Sequence, residues 1–294
     1  MRVFLTGATG FIGSRVAAEL IDADHRVLGL TRSDAGAQAL KALGAEVLYG
    51  DIEDLPGLQR GAAACEAVIH TAFDHDFTHF ADNCQKDYRA IIALGAALEG
   101  SERPLIITTG AAAGSPGPGQ AAIEDHFDPE HPNPRVASEL AGRELSQRGV
   151  DVRVIRLTQI HDTLKQGLVS YLIAHAQRTG RCAYVGEGLN SWSAAHVADT
   201  ARLYRLVLEK GTAGMRYHAS AEVDVSFKSI AQTVAQRLDV PLVALSAEEA
   251  VGHFGWLATF VDKDLKATSA KTRAELGWDP TGAGLLEDLQ RAQL

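Results

Sequence analysis

A glycine-rich turn near the start of the chain constrains the fold more than any other feature of the sequence. Residues 2–5 form a short apolar run that leads directly into Thr6-Gly-Ala-Thr-Gly-Phe-Ile-Gly13, after which apolar residues repeat at helical spacing. In this order the first glycine allows a tight turn, the second lets the backbone approach a pyrophosphate, and the third lets the helix pack closely on the strand. The N–H groups at the helix N-terminus would face the phosphates. The turn therefore predicts a dinucleotide site, with contacts from Gly7, Thr9, Gly10, Phe11, Ile12 and Gly13.

Strand and helix patterns alternate along the first half of the chain. Further strands are predicted at 26–30, 46–49, 67–70, 105–108 and 152–157, with helical segments between them. Near-continuous apolar strands that alternate with helices predict an α/β fold with a doubly wound parallel sheet of the Rossmann type. We expect the dinucleotide-binding domain to cover residues 1–157. A smaller mixed α/β substrate-side lobe is expected over 158–294, returning a strand near 215–218 to the main sheet.

Composition and charge exclude several classes of protein. The net charge is −9 and no Lys/Arg cluster occurs, which argues against a surface for nucleic acid or anionic membranes. Three widely spaced cysteines provide neither a disulfide framework nor a zinc motif, and no other metal motif is present. No apolar run reaches the roughly 18 residues of a membrane span, and no signal peptide opens the chain. We expect a cytoplasmic protein with a small-molecule substrate. The sequence leaves the oligomeric state open, with a homodimer as the commonest alternative to a monomer.

The end of the second predicted strand bears on the choice of cofactor. A NAD site usually has an acidic residue there that binds the adenosine ribose. This chain reads Gly29-Leu-Thr-Arg-Ser33, and the first acid is Asp34. Arg32 could make a forked, charge-assisted contact with a 2′-phosphate, or it could be an ordinary exposed arginine. The pattern favours NADP, with NAD as the alternative.

The turn Thr6-Gly7-x-x-Gly10-x-x-Gly13 resembles that of the short-chain dehydrogenase/reductase superfamily, in its extended epimerase/dehydratase branch. Later segments are similar too: Gly50-Asp-Ile52, Val68-Ile-His-Thr-Ala-Phe73, Leu105 to Gly114, and Tyr184 to Asp199. The resemblance implies that Asp51 holds the adenine and that the ends of strands four, five and six line the cofactor. It adds these cofactor contacts: Asp51, Ile52, Thr71, Ala72, Phe73, Thr108, Thr158, Gln159 and Ile160.

The catalytic pair of this superfamily is missing. The family uses a tyrosine and a lysine four residues later, whose ammonium lowers the tyrosine pKa. Counting from Thr109, Arg135 stands at the tyrosine position and Glu139 at the lysine position, and none of the six tyrosines is followed by lysine at the fourth position. An arginine, with a pKa above about 12, cannot shuttle protons near neutrality. The chain therefore resembles an atypical member that keeps the cofactor site and replaces the acid.

Several residues could take over parts of the chemistry. Thr109 retains the hydroxyl that polarises the substrate carbonyl in the family, although it could simply close a strand. His161 could donate a proton after strand six, or be a packed histidine. Segment 73–77 places two acids around a histidine, whose pKa they would raise, or forms a solvated loop. Residues 253–256 and Phe260 could line an apolar pocket or belong to the core of the lobe.

These features predict an NADP-preferring oxidoreductase that passes a hydride between nicotinamide and a small to medium carbonyl or related C=X substrate. Thr109 would hold the substrate oxygen, and the proton would come from water or from a non-tyrosine donor such as His161. The alternative is a non-catalytic NAD(P)-binding redox sensor or regulator. An enzyme should keep a partly apolar cavity containing Thr109 and residues 158–162. In a sensor, Arg135 could fill that space, paired with Glu139 or another acid.

Overall fold

A computed structural model describes the whole chain, Met1–Leu294. The strands are β1 (Arg2–Thr6), β2 (Arg26–Thr31), β3 (Glu46–Tyr49), β4 (Ala67–His70), β5 (Leu105–Gly110), β6 (Val152–Leu157), β7 (Gln159–His161), β8 (Cys182–Val185), β9 (Ser191–His196), β10 (Arg216–Ala219), β11 (Glu222–Ser226) and β12 (Leu242–Leu245). The helices are α1 (Phe11–Asp22), α2 (Asp34–Ala42), α3 (Leu55–Ala63), α4 (Phe80–Ala96), α5 (Ala137–Gln147), α6 (Val169–Thr179), α7 (Val197–Lys210), α8 (Phe227–Leu238), α9 (Ala247–Phe254), α10 (Ala258–Val261), α11 (Ala270–Leu276) and α12 (Leu285–Arg291).

Seven parallel strands form the main sheet in the order β10-β6-β5-β4-β1-β2-β3, which confirms the predicted doubly wound fold. The strand order reverses at β1, which lies between β2 and β4. Thr6, at the end of β1, pairs in register with His70, at the end of β4. The segments that follow these two strands therefore leave the sheet side by side, where a doubly wound sheet binds its ligand.

The main sheet is buried on both faces, which explains its apolar strands. In β1, Val3 and Leu5 pack into the core beneath α1 and α7, whereas Phe4 points into the core beneath α3, α4 and α5. Strand β5 alternates in the same way, with Ile106 on the first face and Ile107 on the second. Alternate residues of one strand thus stabilise opposite layers.

A second, smaller core is built from the later part of the chain. A three-stranded sheet (β11-β9-β7) and a two-stranded sheet (β12-β8) pack with α6, α8, α9 and α12 around Trp192 and Phe227. Residues beyond 158 also complete the main core, since α7 packs on α1 and β10 extends the sheet beside β6. No helix of the chain is both long and apolar enough to cross a membrane.

Two helices begin later than their patterns predict. The pattern over 164–177 predicts a helix, but α6 begins at Val169 because residues 159–161 pair with β9 and the carboxylate of Asp162 accepts the N–H groups of Leu164 and Lys165 in a turn. The pattern over 195–209 predicts a second helix, but α7 begins at Val197 because β9 runs to His196. Nδ1 of His196 then accepts the N–H of Ala198 and caps the helix. Strand pairing with distant residues decides both boundaries.

Candidate active site

One cavity of about 1730 Å³ lies at the carboxyl edge of the main sheet and extends to the second lobe. Thr109 and all the residues predicted to contact the cofactor line it, whereas His161 does not. The lining cofactor residues are Gly7, Thr9, Gly10, Phe11, Ile12, Gly13, Arg32, Asp51, Ile52, Thr71, Ala72, Phe73, Thr108, Thr158, Gln159 and Ile160. The fold thus brings together segments that are far apart in the sequence.

The glycine turn has the geometry of a diphosphate cradle. Gly7 has a φ of +68°, and a Cβ there would lie 2.6 Å from the backbone nitrogen of Ala72. A Cβ on Gly13 would collide with the carbonyl oxygen of Gly7, so only glycine lets α1 approach β1 this closely. Gly10 caps α1 without a side-chain hydrogen bond, which leaves the first N–H groups of the helix available to an anion. These residues fit the dinucleotide that the motif predicts.

The adenosine end of the cavity has an exposed arginine and a distant acid. The side chain of Arg32 is 81% exposed, and its Nη1 lies 3.5 Å from Oδ2 of Asp51. Asp34 does not line the cavity, and its Oδ1 accepts a hydrogen bond of 2.8 Å from the hydroxyl of Tyr49. Asp34, the first acidic residue after β2, is therefore bound by Tyr49 and is not part of the cavity lining.

Arg135 lies on the cavity wall and is held there by four groups. Asn133 accepts the N–H of Arg135, and Pro134 starts a short 3₁₀ turn that leads into α5. The guanidinium Nη1 lies 2.5 Å from Oδ2 of Asp87 and also donates to the hydroxyl of Ser138, while Nη2 donates to the carbonyl of Thr108 at 2.9 Å. The guanidinium carbon lies 4.0 Å from the ring centroid of Phe73, and Nε–H has no partner within the chain.

A buried polar chain connects Arg135 to the strand that precedes the glycine turn. Asp87 and His70 are almost completely buried, with Oδ1 of Asp87 3.0 Å from Nε2 of His70. Nδ1 of His70 lies 2.7 Å from the hydroxyl of Thr6. Burial opposes the charge of Asp87, but Arg135, His70 and Ser138 outweigh it and keep the pKa of this carboxyl below its ordinary value. Asp87 is therefore the anion that positions Arg135.

Glu139, at the family's lysine position, has a structural partner instead of a place on the cavity wall. It is buried, and its two oxygens accept hydrogen bonds of 2.7 and 2.9 Å from Nε and Nη2 of Arg156. Arg216 donates a further bond of 2.8 Å from Nε. Glu139 is not among the residues that line the cavity, so it does not face a bound substrate or the cofactor ribose. The acid that pairs with Arg135 is Asp87, which the sequence did not single out.

The two candidates for catalysis lie in very different surroundings. Thr109 lines the cavity, and its hydroxyl makes only a long contact of 3.4 Å with the carbonyl of Arg135. His161 is fully buried, with Nδ1 2.7 Å from Oδ2 of Asp288, and burial lowers its pKa. The structure gives His161 no route to the cavity, because strand pairing of β7 with β9 turns its ring into the smaller lobe. We do not retain it as a proton donor.

The segment after β4 lies on the cavity wall and differs from both sequence-based interpretations. Phe73, Asp74, His75 and Phe77 all line the cavity. The two acids turn away from His75: Asp74 pairs with Lys86, and Asp76 accepts bonds from Thr78 and His79. The pKa of His75 is lowered, not raised, because neighbouring protein removes part of the hydration of this otherwise exposed residue and the cations Lys165 and Arg135 lie near it. The sequence places the acids next to the histidine, but only the fold shows where they point.

Aromatic side chains form part of the cavity wall on the side of the second lobe, beside charged residues that include Lys165, Asp262 and Lys263. Phe77 stacks on Trp256 with centroids 4.5 Å apart and rings nearly parallel, and Tyr171 contacts both edge-on at 5.5 and 5.2 Å. Phe260 completes this wall, while His253 packs on His175 and Phe254 is buried in the core of the lobe. Only part of the predicted aromatic cluster therefore lines the cavity. Phe77 and Tyr171 join it from segments that are far away in the sequence.

Comparisons with known proteins agree with this site. Residues 3–220 match the model of the NAD dependent epimerase/dehydratase family. An uncharacterized protein of Schizosaccharomyces pombe is 42% identical over 98% of this chain and 98% of its own length. A ketoreductase of Stigmatella aurantiaca, which acts on 4-hydroxy-2-methyl-3-oxo-4-farnesyl-3,4-dihydroquinoline-1-oxide, is 26% identical over 87% of this chain and 80% of its own length.

A solved structure shares the fold over almost the whole chain. The dTDP-glucose 4,6-dehydratase DesIV from Streptomyces venezuelae, crystallised with NAD and TYD bound, superposes with a TM-score of 0.78 at 21% identity, covering 99% of this chain and 96% of that one. The glycine cradle, the parallel sheet and the family match lead to one conclusion. The chain belongs to the NAD dependent epimerase/dehydratase family and is an NAD(P)-dependent enzyme of the extended short-chain dehydrogenase/reductase type.

Proposed function

We propose that the protein is an NADP-preferring carbonyl oxidoreductase that works without the usual tyrosine. One observation carries the proposal: a single cavity extends from the glycine turn to an aromatic wall, with Arg135 and Thr109 between them. In a sensor of the kind considered above, Arg135 could fill this space. Instead, the ion pair with Asp87 draws the guanidinium onto the wall, and the cavity stays open.

Arg135 supplies an electrophile where the family has a proton donor. Its charge is permanent, and its Nε–H is free to bind an oxygen that becomes negative as hydride reaches the carbonyl carbon. Because Asp87, Ser138 and Thr108 already hold the other nitrogens, this donor needs little reorganisation during the reaction. The nicotinamide, when bound, supplies or accepts the hydride.

Thr109 is suited to orient the same oxygen. Its hydroxyl lies on the cavity wall, and the contact of 3.4 Å with the carbonyl of Arg135 is too long to hold it firmly. Rotation about its side-chain bond would let it donate to a substrate oxygen beside Arg135. Arg135 and Thr109 would then bind the oxygen together, and the proton would come from another group.

The adenosine end supports a preference for NADP. Arg32 is exposed at the end of β2 and would need only to leave a long contact with Asp51 to reach a 2′-phosphate. The bond from Tyr49 holds Asp34 away from the cavity, so no carboxylate at the end of β2 competes for the ribose hydroxyls. Asp51 remains available for the adenine.

The aromatic wall indicates the class of substrate. Phe77, Tyr171 and Trp256 present ring faces and edges over the substrate end of the cavity. Such a surface binds flat, apolar groups and offers few hydrogen-bond partners to a polyhydroxylated sugar. We therefore propose carbonyl compounds that carry an aromatic or other apolar ring.

The test is oxidation of NADPH with a panel of ketones, imines and activated alkenes, while NADPH and NADH binding are titrated in parallel. The ketones should include acetophenone, tetralone and phenanthrenequinone beside aliphatic ketones of similar size. Turnover that is highest with ring-bearing ketones is the expected result. Tight binding of NADPH without turnover of any probe would overturn the proposal in favour of a sensor.

A further inference from the structure

The proposed reaction needs a group that exchanges a proton with the substrate oxygen. Reduction of a ketone breaks the C=O π bond, forms a C–H bond with the hydride and an O–H bond with a proton, and leaves the nicotinamide oxidised. Arg135 keeps its protons near neutrality, and Glu139 and His161 have no access to the cavity. The donor must therefore be another residue on the wall, or water.

We propose that His75 is the catalytic acid and base of this site, an assignment that rests on the proposed function. The imidazole of His75 lies on the cavity wall, with its ring 5.2 Å from that of Phe73 and nearly perpendicular to it. Phe73 is also the ring over which the Arg135 guanidinium lies at 4.0 Å. The guanidinium and the imidazole thus contact the same side chain, which places them at neighbouring positions of the wall.

The hydrogen bonding of His75 defines which nitrogen faces the reaction. Nδ1 lies 3.1 Å from the carbonyl oxygen of Phe73, an atom that only accepts, so Nδ1 carries a proton in both charge states. Nε2 has no partner in the chain and is the nitrogen that gains and loses a proton. In reduction, Nε2–H gives its proton to the substrate oxygen and the imidazolium becomes neutral. In oxidation, neutral Nε2 takes the proton of the alcohol.

Side chains of the same segment hold the backbone around His75 in place. A residue that transfers protons needs such a fixed position. The carboxylate of Asp74 accepts the N–H of Asp76, and that of Asp76 accepts the N–H of Thr78, so that two consecutive turns fix the segment. The ring of Phe77 also lies near that of His75, with centroids 6.2 Å apart, and is itself stacked on Trp256. The imidazole therefore has two aromatic neighbours, Phe73 and Phe77, although the residue remains exposed.

The charges around the imidazole are consistent with this role. The nearby cations are Arg135 and Lys165, and together with partial desolvation of the ring they lower the pKa of His75 and favour its neutral form. The acids of its own segment oppose this only weakly, because Asp74 is paired with Lys86 and Asp76 with His79. His75 therefore rests neutral at neutral pH, ready to accept a proton from an alcohol. Reduction is expected to speed up as the pH falls.

Other titratable groups on the wall fit the role less well. The hydroxyl of Tyr171 has no partner, but burial raises its pKa and no cation lies near enough to lower it. His126 and His131 belong to the long segment between β5 and α5, and neither ring packs on Phe73 or under Arg135. These residues serve as comparisons in the test.

The kinetic test compares His75→Gln with His79→Gln, using phenanthrenequinone as the probe. His79 lies four residues away, is exposed and does not line the cavity, so its variant controls for changes in the segment. In the wild type, kcat/KM for reduction should fall about tenfold per pH unit above the pKa of His75. His75→Gln should lower it by about 10² to 10⁴ and abolish this pH dependence, while NADPH affinity stays unchanged.

The assignment would be overturned if His75→Gln retained both turnover and the pH dependence. It would also be overturned if both were lost instead in Tyr171→Phe, His126→Gln or His131→Gln. Either outcome would leave the proposed function intact. Absence of turnover in the wild type would overturn the proposed function and the role of His75 with it. Lys165→Gln provides a second check, since removal of this cation should shift the pH dependence to higher pH.

A measurement without substrate tests the geometry directly. Side-chain ¹⁵N spectra of the histidines, with His75 identified by the signal missing in His75→Gln, should show the neutral Nδ1–H tautomer at neutral pH. Detection of the Nε2–H tautomer or of a fully charged ring would contradict the assignment. The same spectra report whether His75→Gln is folded, because the signals of the buried His70 and His218 depend on native packing.

Discussion

The guanidinium of Arg135 and the carboxylate of Asp87 form an ion pair with Nη1 and Oδ2 2.5 Å apart, at the position that the family resemblance assigns to a tyrosine. This pair explains how an arginine can replace that tyrosine without blocking the site. Asp87 lies on α4 and holds Nη1 of Arg135 at the cavity wall, so that the guanidinium borders the cavity without filling it. The first prediction follows from this relationship.

Arg135→Lys should reduce turnover much more than binding. Lysine keeps the charge that Asp87 needs, but it lacks the planar fork in which Nη1 and Nη2 bind Asp87 and Thr108 while a separate Nε–H stays free for the substrate. We expect kcat/KM for NADPH-dependent reduction to fall by about 10² to 10³, the usual effect of losing an oxyanion donor. Arg143→Lys, on the exposed face of α5, is the matched control. Full activity of Arg135→Lys would show that Arg135 is structural.

Thr109→Ala should lower kcat and leave the dissociation constant of NADPH nearly unchanged. Thr109 lines the cavity and its hydroxyl makes only one long contact within the chain, so its removal costs little stability. Thr109→Ser retains the hydroxyl and should retain most of the turnover. Steady-state kinetics together with NADPH titration check this. Unchanged turnover in Thr109→Ala would remove this residue from the mechanism.

Arg32→Ala should weaken the binding of NADPH but not that of NADH. Loss of one charge-assisted contact worth about 1.5 to 3 kcal/mol corresponds to a roughly 10- to 140-fold weaker binding of NADPH, while NADH should bind as before. Arg60→Ala removes a similarly exposed arginine outside the cavity and serves as the control. Equal losses for NADPH and NADH would contradict the assignment of NADP.

Glu139→Lys, which restores the lysine of the family pattern, should destabilise the protein instead of improving catalysis. The introduced ammonium would face the guanidinium groups of Arg156 and Arg216 in a buried site that now holds one carboxylate. Breaking such a buried pair costs about 3 to 5 kcal/mol in the free energy of unfolding. Urea unfolding measures this, with Glu144→Lys, which breaks a surface pair with Arg148, as the control. A stable and more active Glu139→Lys protein would refute this view of the pair.

The buried His218 should make the protein less stable in mild acid. Its Nδ1 donates to the carbonyl of Thr268, and burial together with Arg156 lowers its pKa from 6.5 to about 4. Between these values the unfolded chain binds a proton that the folded chain does not, so the free energy of unfolding falls as the pH drops from about 6.5 to about 4. The contribution is on the order of 1 to 3 kcal/mol.

Urea unfolding at several pH values tests this for the wild type and for His218→Asn. The variant should have a shallower loss of stability over the same range, although His175, whose pKa is also lowered to about 4, keeps part of the slope. Identical slopes in the two proteins would rule out His218 as a source of acid sensitivity.

Sequence reasoning reached the cofactor site more fully than the catalytic site. The glycine turn and the strand ends are local features: Gly7 must adopt a positive φ and Gly13 must lack a Cβ, whatever the rest of the chain does. The catalytic groups depend on distant pairing. Nothing in the sequence near Asp87 signals that it meets Arg135, and the acids beside His75 suggested a raised pKa because their partners Lys86 and His79 cannot be seen in a linear pattern.

By itself, the sequence determined that this chain forms a doubly wound parallel sheet with a dinucleotide turn after its first strand, because apolar periodicity and backbone sterics act over a few residues. Only the tertiary structure decided which polar groups face the cavity. His161 was turned into the smaller lobe when β7 paired with β9, and His75 was brought beside Arg135 because both contact Phe73. A side chain's chemistry depends on neighbours that the fold supplies from far along the chain.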